Sequence, residues 1–557
     1  MNTKEREIRT ILERGETLEV EFKSDVKGLS DRDLVAAVVA MANTEGGLIL
    51  LGVEDDGTIT GVQPHHLDIG GLSAMIANRT RPSVAVNTEI IELDNTKILR
   101  IIVPKSHSIV STTDGLVVRR RLMVNGKPEA VPLYPHEFIQ RQASLGLVDP
   151  SAMPLSSLST EVFNPLERQR IREAIRRYGG DMTLLPLADE ELDGALGFVT
   201  SVEGTQRPTV AGLLFLGRED VIRHYVPAHE VAFQVLEGTD VRVNEFFRKP
   251  LLQTFEEIEL LFKAHVVEQE MQVGLFRVPI PNFDRRAFRE GFINALVHRD
   301  YAALGAVHVR IDDDGLTISS PGGFIEGVTL QNLLVAPPRS RNPLLADIVK
   351  RIGLAERTGR GIDRIYEGML RYGRPAPDYS MSDMHSVVLL MPRADADSSF
   401  LEMILTHERN SGTALPVDSL IILSRLRQER RLKTTDLVAS TQKSETQTRA
   451  ALERLVEAGL VEALGSGRGR SYMLSAKVYR NIGQKSGYVR QAGFEPLQQE
   501  QLVLNYIDKH GSIRRAEVME LCHCSPDQAY KLLLRLKKRN EIVQIGDKKG
   551  AEYQRKR

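Results

Sequence analysis

Residues 290–301 read Glu-Gly-Phe-Ile-Asn-Ala-Leu-Val-His-Arg-Asp-Tyr. Glu290, Asn294 and His298 recur every four residues, so a helix aligns them along one face. Phe288, Phe292, Ala295 and Leu296 make another face apolar enough to pack against a sheet. A carboxylate, an amide and an imidazole in a row can orient a water, hold a divalent ion and approach a phosphate. The same spacing also fits a polar helix face with incidental charges, so the surrounding sequence has to decide.

Residues 307–318 (Val-His-Val-Arg-Ile-Asp-Asp-Asp-Gly-Leu-Thr-Ile) predict two short strands around an Asp-Gly turn. Ser320-Pro321-Gly322-Gly323 follows, then Arg341-Asn342-Pro343, then Gly359-Arg360-Gly361 opening an amphipathic run. Glycines at strand ends and helix starts let a backbone approach phosphates with its amides pointing at the anion. On these motifs residues 277–378 resemble the divergent GHKL-type ATPase module (gyrase, Hsp-type chaperones, histidine kinases, MutL), in the variant found in RecG-like and regulator-type bacterial proteins. Glu290–Asn294–His298 matches that family's N-box. The resemblance implies ATP with Mg²⁺, Asn294 binding the metal and Glu290 activating water. Ser320, Gly322 and Gly323 sit where the Asp-x-Gly-x-Gly box belongs, and Gly359 and Gly361 resemble the later glycine box. The chain departs from the family at Ser320, where an adenine-reading Asp is expected. A hydrogen bond to a carboxylate is roughly twice as strong as a neutral one, so a weaker hold on adenine and slower turnover are expected.

A chain of 557 residues is long enough for three to five domains at roughly 100–200 residues each. Lys and Arg (73) nearly balance Asp and Glu (74), so no global field selects a partner. The two cysteines, Cys522 and Cys524, make neither a disulfide framework nor a four-ligand zinc site, and they fit a reducing cytoplasm. The start of the chain lacks the apolar core of a signal peptide. Residues 34–53 are apolar enough to imitate a membrane span, but Asn43-Thr44-Glu45-Gly46-Gly47 in their middle reads as a turn between helix and strand. No membrane segment is expected.

The fold class expected is α/β multidomain, with five segments. Residues 1–142 alternate helices (4–14, 31–43) with strands (17–23, 48–54, 86–92, 97–103, 116–124). Ser30 with Asp33 starts the second helix. Residues 143–205 read as a helical connector, its 165–178 helix stopped by Gly179-Gly180. Residues 206–395 hold the ATPase-like α/β sandwich, with Thr209–Gly217 read as a buried strand from its continuous apolarity. After a linker at 394–399 come two similar units, 400–480 and 497–557, each with three helices followed by a strand pair.

Gly15-Glu-x-x-x-x-Glu-Phe-Lys23, Ala42-Asn-Thr-Glu-Gly-Gly47 and Gly52-Val-Glu-Asp-Asp-Gly57 resemble the Schlafen core, or AlbA-type, domain. As a strand, 17–23 puts Leu18, Val20 and Phe22 on one side and Glu19, Glu21 and Lys23 on the other. The parity by itself nominates Glu19 with Glu21. The resemblance instead implies Glu16, Glu21 and Asp55 as ligands of Mg²⁺ or Mn²⁺ in nucleic-acid cleavage, with Lys23 neutralising developing charge, and it places Glu16 in a loop before the strand. Hard oxygen ligands suit those ions. Arg119, Arg120 and Arg121 are candidate phosphate contacts, with Arg100 and Lys105 nearby.

Three helices and a hairpin predict a winged helix-turn-helix in each of the last two units. The first offers Lys443 and Arg449 around its recognition helix and Arg468 on its wing. In the second, residues 525–557 carry ten Lys/Arg against four Asp/Glu, among them Arg535, Lys548 and Lys549. Such a patch makes nucleic-acid affinity steeply salt-dependent. The expected function is therefore an ATP- and nucleic-acid-binding protein whose first domain cleaves DNA or RNA under nucleotide control, with antiviral defence implied only by the resemblance. The alternative is a non-catalytic, ATP-sensing transcriptional regulator. No Gly-x-x-x-x-Gly-Lys-Ser/Thr loop sits at a strand–helix junction, which argues against a motor of that class. The GHKL resemblance also implies a homo-oligomer.

Overall fold

The computed structural model describes residues 3–556, except 124–125, 274–275, 356–359, 466–469, 476–477, 479–495, 523–525 and 546–550. Gly359, Arg468, Lys548, Lys549 and Cys524 lie outside the described residues.

The first sheet has four strands in the order Val20–Lys23, Gly47–Leu51, Thr96–Val103, Asn87–Leu93. Its first pair is parallel and the others antiparallel. A parallel pair needs a crossover, supplied by the Asp31–Ala42 helix, which Ser30 caps by accepting from the Asp33 amide at 3.1 Å. Period-two alternation sorts the second strand. Ile49 and Leu51 face the core under that helix, while Leu48 and Leu50 join Phe22, Ile8 and Leu12 under the Thr3–Arg14 helix. The strand expected from residue 17 starts only at Val20, because Thr17 and Val20 close a tight turn through Leu18 and Glu19.

The central sheet runs Asp240–Phe247, Val231–Glu237, Val307–Ile311, Gly315–Pro321, Ser386–Pro392. Only Val231–Glu237 with Val307–Ile311 is parallel. The Asp-Gly hairpin is present, with Asp312 Oδ1 accepting from the amides of Asp314 and Gly315. The Arg285–Val297 helix buries Phe288, Phe292, Ala295 and Leu296 as its pattern requires. Phe262, Phe288, Phe292 and Phe255 form a continuous aromatic stack with centroids 3.8–6.1 Å apart.

Thr209–Gly217 is not a strand. Val210–Leu216 is a helix, with Thr209 Oγ1 accepting from the Gly212 amide at 3.0 Å. A short, uniformly apolar run carries no period, so the cap decides. Gly212 also packs directly on the Phe198 carbonyl, where an added Cβ would lie 2.0 Å away. The core runs across the boundary expected at 205/206: Phe163, Ile171, Ile175 and Phe198 share one cluster with Phe233, Phe255 and Phe292.

After the central sheet, the segment expected as a linker opens a helix, Ser398–Ser411, capped by Asp397 accepting from the Phe400 amide at 2.9 Å. Helices Val417–Glu429, Thr434–Thr441 and Glu445–Glu457 follow, with a sheet in the order Leu432–Lys433, Ser471–Leu474, Val461–Leu464. The last unit repeats the layout: Pro496–His510, Arg515–Cys522 and Pro526–Lys538, with a sheet in the order Ile513–Arg514, Glu552–Arg555, Ile542–Ile545. Each unit has its own hydrophobic cluster. Among the described residues, no helix is long and apolar enough to cross a membrane.

Candidate functional site

The polar face of the Arg285–Val297 helix opens into a cavity of about 550 Å³, lined by Glu290, Asn294, His298, Ser320, Gly322, Gly323 and Gly361. Every nucleotide-site residue expected from the sequence that lies among the described residues therefore meets in one space. Its size falls within the roughly 300–1,000 Å³ of small-molecule sites.

Each residue is held by a specific packing arrangement. Glu290 is buried, with Arg364 Nη1 at 3.8 Å. Gly361 starts the Gly361–Leu370 helix against it: a Cβ there would come within 2.8 Å of Glu290 Oε2 and 3.5 Å of Asn294 Nδ2. His298 ends the helix, and burial, with Arg341 and Lys350 adding to it, pushes its imidazole down to about 4. At neutral pH it is uncharged. Ser320 Oγ donates to the Ala295 carbonyl at 2.7 Å. A hydroxyl that donates inward keeps lone pairs to accept from a ligand amine.

The glycines after Ser320 are structural as well as cavity-lining. Gly322 has φ +96°, and a Cβ would sit 1.9 Å from Arg341 Nη1. Arg341 is buried beneath it and donates to the Gly323 carbonyl at 3.1 Å. Asn342 Nδ2 donates to the carbonyls of Val297 and Arg299, both at 2.8 Å, closing the end of the 285–297 helix. Arg299 is wholly buried and spends its guanidinium on the carbonyls of Ala228, Glu230 and Gly305, so it braces the site from behind.

Sequence reasoning missed Lys350, Arg339 and Asp363 in the lining. Lys350 shares a face of the Pro343–Arg351 helix with Ala346 and Asp347, an i, i+3/i+4 pattern that was readable. Arg339 lies in a segment, 324–340, that arches over the cavity largely without regular structure. Burial raises the Asp363 carboxyl, and Lys443 and Arg360 partly offset the shift.

In the first unit, Glu16 Oε1 accepts from the Phe22 amide at 2.8 Å, placing it before the strand. Glu21 is buried in ion pairs with Arg120 and Lys23. Arg120 Nη2 also donates to the carbonyls of Thr17 at 2.7 Å and Val20 at 3.1 Å. Burial lowers the Arg120 pKa and the nearby Glu16 charge raises it, so both glutamates face this guanidinium. Asp55 is exposed in a turn. The ligand atoms of Glu16, Glu21 and Asp55 do not converge. Among the described residues, the set whose ligand atoms all lie within 4.8 Å of one another is Asp25, His65 and His66. Asp25 is occupied there, accepting from the Leu29 and Gln63 amides at 2.7 Å and paired with His66 Nδ1 at 2.8 Å. Arg120 pairs with Glu21, and the Glu16 charge acts on the same guanidinium.

The basic candidates divide by burial. Arg120 is buried, Arg119 is paired with Glu137, and Arg121 is exposed. Lys443 is tied to Asp418 at 2.8 Å. Arg449 is exposed beside Glu445 at 2.7 Å, and Arg535 reaches Glu500 at 3.0 Å.

Three family models match parts of the chain. Residues 16–125 match the family model described as "Schlafen, AlbA_2", and residues 305–390 match the HATPase-type model described as "Putative ATP-dependent DNA helicase recG C-terminal". Residues 139–232 match a "Domain of unknown function (DUF8451)". No curated protein matches the chain. The crystal structure of the DIP2311 protein from Corynebacterium diphtheriae aligns over 99% of this chain and 98% of that one, at 20% identity and a TM-score of 0.49.

Proposed function

We propose, for a chain that joins a Schlafen AlbA-type segment to an ATPase-like one, that the central cavity binds ATP with Mg²⁺ and controls contact with nucleic acid. The observation that carries this reading is the convergence of Glu290, Asn294, His298, Ser320, Gly322, Gly323 and Gly361 on one cavity. Asn294 would supply an oxygen ligand for the ion, which when bound would neutralise phosphate charge. Lys350 and Arg339 are the lining cations for the phosphates. Ser320 accepts from the adenine amine with the lone pairs its inward bond leaves free. Glu290, desolvated and beside Arg364, is placed to orient water for hydrolysis. The last two units, each three helices followed by a β-hairpin, are read as winged helix-turn-helix modules presenting Arg449 and the basic 526–538 helix to nucleic acid. Calorimetry tests the central assignment: Asn294→Ala is expected to abolish Mg²⁺-dependent ATP binding, and unchanged affinity would remove the assignment.

A second reading has its own observation. The pairing of Arg120 with Glu21, under the charge of Glu16, favours a first unit that binds nucleic acid without cutting it, in a nucleotide-sensing regulator. Incubation with Mn²⁺ or Mg²⁺ and labelled tRNA, single-stranded DNA and duplex DNA separates this reading from that of a first unit that cleaves nucleic acid. Cleavage lost in Glu21→Ala supports a nuclease, and intact substrates throughout support the regulator.

A further inference from the structure

We propose that Lys105, His107 and Arg141 form a binding site for the backbone phosphate of a nucleic acid, occupied in this state by the Glu326 carboxylate. The three side chains come from the first unit and its following helix, whereas Glu326 comes from the segment arching over the central cavity. Lys105 Nζ lies 3.9 Å, His107 Nδ1 3.6 Å and Arg141 Nη1 3.5 Å from the Glu326 carboxylate. None of these reaches the 2.7–2.9 Å of a charge-assisted hydrogen bond. Glu326 Oε2 is buried with no hydrogen-bond partner, and so is Arg141 Nε. Two cations and an imidazole therefore surround a carboxylate that hydrogen-bonds to none of them. A phosphodiester is larger than a carboxylate, and its two charged oxygens stand farther apart around a tetrahedral phosphorus, so it closes those gaps. Lys105 also meets Glu45 at 2.8 Å, and Arg141 Nη2 donates to the Ser106 carbonyl at 3.4 Å, so the cations are held in place without Glu326.

The plug is mechanically joined to the cavity. Phe324 and Ile325, just before Glu326, and Val328, just after it, line the cavity. Arg339 also lines it and donates to the Glu326 backbone carbonyl at 3.3 Å. A nucleotide phosphate that recruits Arg339 pulls on the residue that fills the phosphate site. This release step rests on the central cavity being a nucleotide site; the plug itself does not.

Fluorescence anisotropy on the full chain tests the proposal, using labelled single-stranded RNA and DNA of one sequence without nucleotide. E326Q, which keeps the shape and removes the charge, is expected to bind about tenfold more tightly at low salt. Its log–log salt slope steepens by roughly 0.7, as expected for one further phosphate contact on a single strand. A gain on both polymers marks a backbone site and a gain on one names the polymer. The gain must vanish when K105Q and R141Q are added, because a general loss of negative charge would survive them. E326A serves as a second variant should E326Q unfold. Parental affinity in both, or a gain that persists without Lys105 and Arg141, overturns the site. ATP calorimetry on the same proteins separates the two claims. An E326Q gain in a chain that binds no ATP leaves the phosphate site and removes the nucleotide reading. Normal ATP binding without the gain removes the plug alone.

Discussion

Gly322 shows how one position can serve the fold and the site together. Its positive φ and the 1.9 Å approach to Arg341 leave no room for a side chain, so Gly322→Ala must move either the buried guanidinium or the turn. Backbone strain of this kind costs about 1–3 kcal/mol. The expected outcome is a lowered melting transition of the central core together with weakened ATP binding, read by a thermal melt and calorimetry on the same protein. His229 is the second residue whose setting dictates a measurement. It is buried, with Nε2 2.8 Å from the Lys249 carbonyl, and burial pushes its imidazole down to about 4. The unfolded chain takes up that proton near pH 6.5, so between about 6.5 and 4 the unfolded state binds more protons. The associated stability is complete above pH 6.5 and is lost as pH falls, amounting to about 2 kcal/mol by pH 5 at 1.36 kcal/mol per unit. Urea midpoints at pH 7 and pH 5 should therefore differ by less in His229→Gln, which keeps a donor for Lys249 but does not titrate. An equal drop in both proteins would assign the acid loss to other groups.

At the scale of elements, the Arg285–Val297 helix is the hinge between core and cavity: its aromatic side joins the phenylalanine stack and its polar side lines the site. Phe288→Ala is expected to cost about 3–5 kcal/mol, and the central transition should broaden or drop in a thermal melt while the three-helix units melt as before. That helix was legible because both of its faces repeat with the helical period, as did Leu34, Val35 and Val38 on the Asp31–Ala42 helix. Val210–Leu216 was not, since seven apolar residues in a row look the same in a strand and a buried helix. Glu16 was placed correctly ahead of its strand. The partner that neutralises Glu21 was out of reach, because Arg120 lies 99 positions away and only the fold brings it in. The 324–340 segment was equally hidden: it has no period, and what gives it meaning is its contact with three separate parts of the chain.

Across the whole molecule, that segment is where the parts of the chain meet. One end presents Glu326 to the cations of the first unit. Its middle is clasped by Gln442, whose Nε2 donates to the Leu330 carbonyl at 2.7 Å and whose Oε1 accepts from the Leu334 amide at 2.8 Å. Gln442 holds a left-handed conformation at the end of the Thr434–Thr441 helix, two residues before Ser444 caps the Glu445–Glu457 helix. Paired hydrogen bonds thus join the cavity cover to the turn between two helices read as a nucleic-acid module, and a shift of the cover would be expected to reach that turn. Thermodynamic linkage makes the consequence measurable: if ATP changes nucleic-acid affinity by some factor, nucleic acid must change ATP affinity by the same factor. In Gln442→Ala that coupling should fall toward one, while the ATP affinity of the isolated chain stays near the parental value because Gln442 does not line the cavity. Hydrogen exchange gives an independent view. ATP is expected to alter protection at both 324–340 and 434–457 in the parent but only at 324–340 in Gln442→Ala. Persistent coupling, or persistent protection of 434–457, would show that the signal does not travel through Gln442.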